Sequence, residues 1–195
     1  MVGLVLCGGQ SLRMGTDKGL LQQHGGISWA EVAARKLASF NMPVYFSVNQ
    51  QQQQAYAAHL NPGALITDCE HLQLKGPLLG LLTAHLHMPE KDIAVLACDM
   101  PLMNTDVLHK LYTTYTHEPQ YDAYHFTNNG EPEPLCAIYR SALLAKILCL
   151  LQQDELAKHS MKYMIGICHA HSMPLLDEEK NCFQNFNAHA DLNGL

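Results

Sequence analysis

The chain opens with Val2-Gly3-Leu4-Val5-Leu6-Cys7-Gly8-Gly9-Gln10-Ser11-Leu12-Arg13-Met14-Gly15-Thr16-Asp17-Lys18. A short unbroken apolar run that stops at paired glycines reads as a strand buried on both faces, ending in a tight turn. Glycine at that point lets the backbone turn sharply and brings N–H donors close to a ligand. Arg13 and Lys18 add cations within the same loop, which suits a triphosphate. The segment is not a Walker A loop, since no Gly-Lys-Ser/Thr follows at the required spacing, and the dinucleotide pattern Gly-x-Gly-x-x-Gly is absent. A glycine turn with solvated charges is the plainer reading of Gly8-Gly9 alone; Arg13, Gly15 and Lys18 together argue against it.

Downstream, apolar runs at 44–48, 64–67 and 93–98 alternate with helical patterns at 28–40, 51–60, 78–87 and 105–117. Such alternation predicts βαβ crossovers: an α/β fold, a Rossmann-like three-layer α/β/α sandwich around a mostly parallel sheet. After residue 120 the rhythm changes. Segments 121–126 and 135–139 read as strands joined at Asn128-Asn129-Gly130, because Asn and Gly tolerate positive φ. A helix follows over 141–153, and the tail carries Phe183-Gln184-Asn185-Phe186-Asn187 before a short helical stretch. The polar tract Gln50 to Gln54 reads as a helix start on the surface, and His24 to Trp29 as a surface turn.

At 195 residues the chain suits a single domain. Apolar residues make up 48% and charged ones 15%, which excludes a disordered chain. A net charge of −6 offers no basic field for nucleic acid, so a polyanion must be held by a few local cations. The seven cysteines form no Cys-x-x-Cys pair, and several sit inside apolar runs as small hydrophobes of a reducing compartment. The apolar opening lacks a basic n-region and is too short for a signal peptide. No stretch approaches the length needed to span a bilayer. A cytoplasmic protein without membrane or nucleic-acid partners is expected. His85-x-His87 and His169-x-His171 read as surface histidines, since no third ligand completes either pair. Met100, Met103, Met161 and Met164 read as core fillers.

A second chemical signal is Ala97-Cys98-Asp99-Met100-Pro101, directly after the run 93–96. A carboxylate at the C-terminal end of a central strand stands where open α/β sheets bind ligands, and it is a hard donor suited to Mg²⁺ shared with phosphates. The alternative is a helix N-cap, but Asn104 already supplies one.

With these residues in view, Leu-x-Gly-Gly-x-Ser-x-Arg-Met-Gly-x-Asp-Lys resembles the signature of the MobA-like molybdenum cofactor guanylyltransferases. Asp68, Gly76-Pro77-Leu78-x-Gly80, Cys98-Asp99-x-Pro101 and Asn185-Phe186-Asn187-x-x-x-Asp191-Leu192 follow in that family's order, so the likeness spans nearly the whole chain. It implies a nucleotide-diphospho-sugar transferase type of fold with a nucleotide-binding half over 1–100 and an acceptor-binding half over 101–195. It also implies attack by the terminal phosphate of molybdopterin, with or without molybdenum, on the α-phosphate of GTP. Carried over by position, Leu6, Cys7 and Gly8 line the nucleotide pocket, and Gly9, Arg13 and Lys18 meet the phosphates. Asn49 and Asp68 hold guanine and ribose, and Asp99 binds Mg²⁺; Arg13, Lys18 and Asp99 form the catalytic set. Gly76, Gly80, Asn185 and Asn187 are the acceptor-side candidates. Proteins that deliver the cofactor or mature molybdoenzymes are the implied partners.

The chain departs from the family at Cys7, where Ala is usual, and at Glu133-Pro134-Leu135, where Gln or His is expected before the proline. An inward Glu133 would oppose a phosphorylated acceptor. The rival functions are cytidylyl transfer to molybdopterin, nucleotidyl transfer to a sugar phosphate, and a silent nucleotide-binding regulatory module. CTP users tend to carry Ala-Gly where this chain has Gly8-Gly9. A silent module has no need of Arg13, Lys18 and Asp99 together.

Overall fold

Val2–Leu6 forms the central strand β1, buried along its whole length. The computed structural model describes residues 1–8, 17–22, 25–184 and 186. After β1 come helix α1 (Trp29–Ala38), β2 (Val44–Val48), the short α2 (Gln53–Ala57), β3 (Leu65–Thr67), α3 (Pro77–His87) and β4 (Ile93–Ala97). These are followed by α4 (Thr105–His117), β5 (Ala123–Asn128), β6 (Glu131–Tyr139), α5 (Ser141–Gln152), α6 (Met161–Gly166) and β7 (Ala170–Pro174). One seven-stranded sheet runs in the order β3-β2-β1-β4-β6-β5-β7. β3, β2, β1 and β4 are mutually parallel. β6 runs against both β4 and β5, and β7 lies parallel to β5.

Helices cover both faces, as the near-continuous apolar strands require. On one face α1 (Ala30, Ala33, Leu37) and α4 (Val107, Leu108, Leu111) pack on Val5, Phe46 and Leu96. On the other, Leu81 and Leu82 of α3, Leu144 of α5 and Met164 of α6 pack on Leu4, Val95 and Tyr139. Successive residues of β1 thus feed opposite layers, the period of two that a strand imposes. Each fully buried aliphatic side chain contributes about 1.5–3 kcal/mol. This is the α/β/α sandwich expected from the alternating pattern.

Local chemistry fixes the helix starts. Ser28 and Glu31 form a capping box at α1, with Glu31 N–H donating to Ser28 Oγ at 3.3 Å and Ser28 N–H to Glu31 Oε2 at 3.0 Å. The Ser28 hydroxyl, donating to Glu31 Oε2 at 2.7 Å, and then the Ser28 N–H hold the Glu31 carboxyl below its ordinary pKa. Asn104 Oδ1 accepts from Asp106 N–H at 2.6 Å and caps α4, so Asp99 has no capping role there. The hairpin turn is Asn129-Gly130, at φ 52° and 84°, the left-handed geometry that a two-residue turn demands.

Several elements differ from the sequence reading. β6 begins at Glu131 and passes through Pro132 and Pro134, four residues ahead of the strand expected over 135–139. Its pairing with β4 ends at Leu96↔Cys136, and a bulge shifts its register against β5, so no β4 partner asks for the missing N–H groups. The tract Gln50 to Gln54 is not wholly superficial, because Gln52 is buried. Trp29 leaves the turn at Gly25 and Gly26 to enter the core at 2% exposure. His85, expected on the surface, is buried in α3, and that burial lowers its pKa. His87 Nδ1 lies 2.9 Å from the Thr83 carbonyl oxygen, and His169 and His171 pack around the Tyr121 ring. Met100, Met103, Met161 and Met164 are core residues as expected. The expected terminal helical stretch falls outside the described residues.

Candidate functional site

Four parallel strands end on one edge of the sheet, and a candidate residue stands just past each end: Asp68 after β3, Asn49 after β2, Gly8 after β1 and Asp99 after β4. Backbone bonds extend the ladder by one step and fix these positions. Cys7 N–H donates to Ser47 O at 3.0 Å, Asp68 N–H to Val48 O at 2.9 Å, and Cys98 N–H to Leu6 O at 3.1 Å. The edge is rigid because it continues buried strands, which is what a site needs from its scaffold.

A cavity of about 420 Å³ opens between the ends of β1 to β3 and the start of α3. Leu6, Leu74 and Leu79 supply apolar walls; Ser47, Asn49, Asp68 and Lys75 supply polar groups. Ser47 Oγ donates to Asp68 Oδ1 at 3.5 Å. Burial pushes the Asp68 carboxyl up to about 6, with the Ser47 bond opposing the rise. Gly8 lies beside the carboxylate, where an added Cβ would be in ordinary contact with Asp68 Oδ2 at 3.9 Å. At Gly80 a Cβ would collide with Ser47 Oγ and lie 3.3 Å from Leu6 Cδ2, so only glycine lets α3 approach β2 this closely. Gly76, at φ 71°, starts α3 on the opposite wall. The two glycines expected on the acceptor side therefore line the same cavity as Gly8, Asn49 and Asp68.

On the other side of β1, Lys18 Nζ stands 3.4 Å from Asp99 Oδ2, with the side chains 17% and 23% exposed. This brings the opening loop's cation and the acid after β4 to one place, 81 residues apart in sequence. Asp99 also holds the chain's tail: its carbonyl accepts from Phe186 N–H at 3.2 Å, and the Phe186 ring meets Trp29 edge-on at 6.1 Å. Among the described residues no group of three or more His, Cys, Asp or Glu could hold a metal ion. A lone carboxylate nevertheless fits Mg²⁺, which takes one or two protein carboxylates and completes its octahedron with phosphate oxygens and water.

The residue before Lys18 is anchored by groups that sequence reasoning did not select. Asp17 Oδ1 accepts from Gly19 N–H at 3.0 Å and from the Tyr56 hydroxyl at 2.6 Å. Asp17 Oδ2 accepts from the Gln52 side-chain amide, which also donates to Cys7 O at 3.1 Å. A Cβ on Gly19 would collide with Tyr56 Oη, so this glycine is needed for the contact. The signal for Gln52 was faint: one buried glutamine inside a run of identical ones.

Leu6, Cys7, Gly8, Lys18, Asn49, Asp68 and Asp99 all gather at this edge, while Gly9, Arg13, Asn185 and Asn187 lie outside the described residues. Glu133 is half-buried on β6; burial raises its pKa, opposed by a hydrogen bond with Asn128. Antiparallel pairing with β4 carries that part of β6 past the Asp99 end of the strand.

A family profile described as the MobA-like NTP transferase domain matches residues 3–166. A protein of Geobacillus sp. (strain WCH70) named "Probable molybdenum cofactor guanylyltransferase" is 30% identical over 189 residues, covering 96% of this chain and 93% of its own. Among solved structures, the molybdopterin-guanine dinucleotide biosynthesis protein A of Archaeoglobus fulgidus superposes with a TM-score of 0.76 at 23% identity, over 100% of this chain and 96% of its own. A putative glucose-1-phosphate thymidylyltransferase from Bacillus anthracis superposes with a TM-score of 0.69 at 14% identity, over 100% and 93%. These two likenesses establish the fold.

Proposed function

Because the chain belongs to the family of MobA-like NTP transferase domains, we propose that it transfers GMP from GTP to the terminal phosphate of molybdopterin, giving a guanine dinucleotide cofactor and pyrophosphate. The observation that carries this reading is the 3.4 Å pair of Lys18 and Asp99 beside a cavity whose polar groups include Asp68. Guanine presents two adjacent donors, N1–H and the exocyclic amine, which one carboxylate accepts together; adenine and cytosine lack that pair. With the base against Asp68, the triphosphate runs past Gly8 towards Lys18.

In the transfer, an oxygen of the acceptor's terminal phosphate forms a bond to Pα. The bond from Pα to the bridging oxygen breaks, and the electron pair leaves with pyrophosphate. The attacking phosphate is already an anion, so no general base is required. The protein's work is alignment and charge compensation. Lys18 supplies positive charge to the phosphate chain as charge grows on the leaving group. Asp99 would hold Mg²⁺, which when bound neutralises phosphate oxygens and orients them. Gly9, Arg13, Asn185 and Asn187 keep their proposed places in this scheme on the motif alone. The relatives' shared name supports an acceptor of the molybdenum cofactor class. Delivery or molybdoenzyme-maturation proteins as partners, and a place in the cytoplasm, belong to the same proposal. No described helix is long and apolar enough to cross a membrane.

Cytidylyl transfer and sugar-phosphate acceptors are the competing readings, and one assay separates them. Purified protein with Mg²⁺ and molybdopterin should release pyrophosphate with GTP and far less with CTP. Release that depends on a sugar phosphate, or that runs equally well with CTP, refutes the proposal.

A further inference from the structure

The amide of Gln52 touches both ends of the site. Its Oε1 accepts from the backbone N–H of Asn49 at 3.0 Å, and the backbone N–H of Gln52 donates to Asn49 Oδ1 at 2.9 Å. Its Nε2 donates to the carbonyl of Cys7 at 3.1 Å and to Asp17 Oδ2. One buried side chain thus ties the residue that ends β2 beside the cavity, the residue before Gly8, and the carboxylate next to Lys18. Both Nε2 hydrogens and the amide oxygen are used. A carboxylate of the same shape would face two acceptors, the Cys7 carbonyl and Asp17, with none of the needed donors. Asp17 in turn takes Gly19 N–H and the Tyr56 hydroxyl, so both its oxygens are engaged by protein donors. That geometry makes it an anchor for the Lys18 turn rather than a second metal ligand. Breaking any one of these bonds leaves a buried polar group unpaired, so the links act together.

We propose that Gln52 is a positioning residue through which occupancy of the nucleobase cavity sets the position of Lys18 at the phosphate end. The inference rests on the nucleotidyltransfer reading above and assigns how base recognition is passed to the reacting end. When a base engages Asn49, the reciprocal Asn49–Gln52 pair stiffens. The Gln52 amide then holds Asp17, and Asp17 holds the turn from which Lys18 extends. A triphosphate with the wrong base leaves that chain of bonds loose, and discrimination appears in turnover rather than in binding alone.

Guanosine provides a direct test, since it fills the cavity without phosphates to touch Lys18. Amine acylation of the folded protein, read at Lys18 by peptide mass spectrometry, should change at least about fivefold at saturating guanosine, the lower range of ordinary site-to-site coupling. Gln52→Met, which keeps the length of the side chain and removes its hydrogen bonds, should still bind guanosine by calorimetry yet show no change at Lys18. Tyr56→Phe, which removes one donor to Asp17 and preserves the packing, should show a reduced change and guards against a Gln52 variant that fails to fold. In turnover, Gln52→Met should lose on the order of a hundredfold in kcat with GTP, as expected for a misplaced group, with KM little altered. The kcat ratio of GTP to inosine triphosphate should fall towards one. Wild-type protein that binds no guanosine overturns the reading of the cavity and the coupling with it. Wild-type protein that binds guanosine with unchanged Lys18 acylation, or variants that respond as wild type does, overturns the coupling alone.

Discussion

Asp68→Asn should make the free protein more stable and a poorer binder of GTP, and the two effects should have opposite dependences on pH. Burial raises the folded-state pKa of Asp68 from 3.8 to about 6. Between those values the folded state binds more protons than the unfolded chain, so the group's contribution to stability falls as pH rises through this window and stays low above it. The span corresponds to at most ~3 kcal/mol at 1.36 kcal/mol per pH unit. Water reaching the half-buried carboxylate reduces this to on the order of 1 kcal/mol. The asparagine carries no charge to desolvate and keeps an oxygen for Ser47. Urea denaturation should therefore find the variant more stable by about 1 kcal/mol at pH 7.5 and indistinguishable from wild type near pH 3.5, where both groups are neutral. GTP affinity runs the other way. Wild-type binding should weaken as pH falls through 6, and the variant should bind about 10–100-fold more weakly at pH 7.5, the worth of hydrogen bonds to a charged acceptor. Equal stability of the two proteins at pH 7.5, or GTP affinity in the variant equal to that of wild type, would refute the account of Asp68 as a desolvated carboxylate facing the base.

Asp99→Ala should reduce pyrophosphate release by at least about a hundredfold through loss of charge compensation at the phosphates, while circular dichroism and the urea midpoint stay near wild type. Turnover close to wild type would remove Asp99 from the site. Gly80→Ala should destabilise the fold by about 1–3 kcal/mol, because the added methyl overpacks the contact with Ser47 and Leu6. It should also weaken GTP binding by displacing Ser47 from Asp68, and an unchanged urea midpoint would show that α3 yields without strain.

Much of the fold was legible because β1, β2 and β4 are short apolar runs set off by helical patterns, and periodicity reports burial directly. The half after residue 120 was harder. α6 has only six residues and β7 is Ala-His-Ser-Met-Pro, too short and too polar for a periodic signal. At the site, Lys18, Asp99 and Asp68 stood out because a charge at a strand's end is rare within apolar surroundings. Gln52 and Tyr56 did not, since their importance lies in hydrogen bonds to Asp17 that only the folded chain brings within reach. The juxtaposition of Gly76 and Gly80 with Asp68 was equally hidden, because it depends on how closely α3 docks against β2.

The reversal of direction between β4 and β6 has a consequence for how such a protein can be remodelled. It sets the two-residue turn at Asn129 and Gly130 on the rim that also carries Asp99, beyond the last β4 rung at Leu96↔Cys136. Residues grafted into that turn would build a taller wall beside the mouth of the site. The rungs from Ile93↔Tyr139 to Leu96↔Cys136 would stay in register, and nothing would reach back to Asp68. One rim loop could therefore be lengthened to suit a bulkier second substrate while recognition of the first is left as it is.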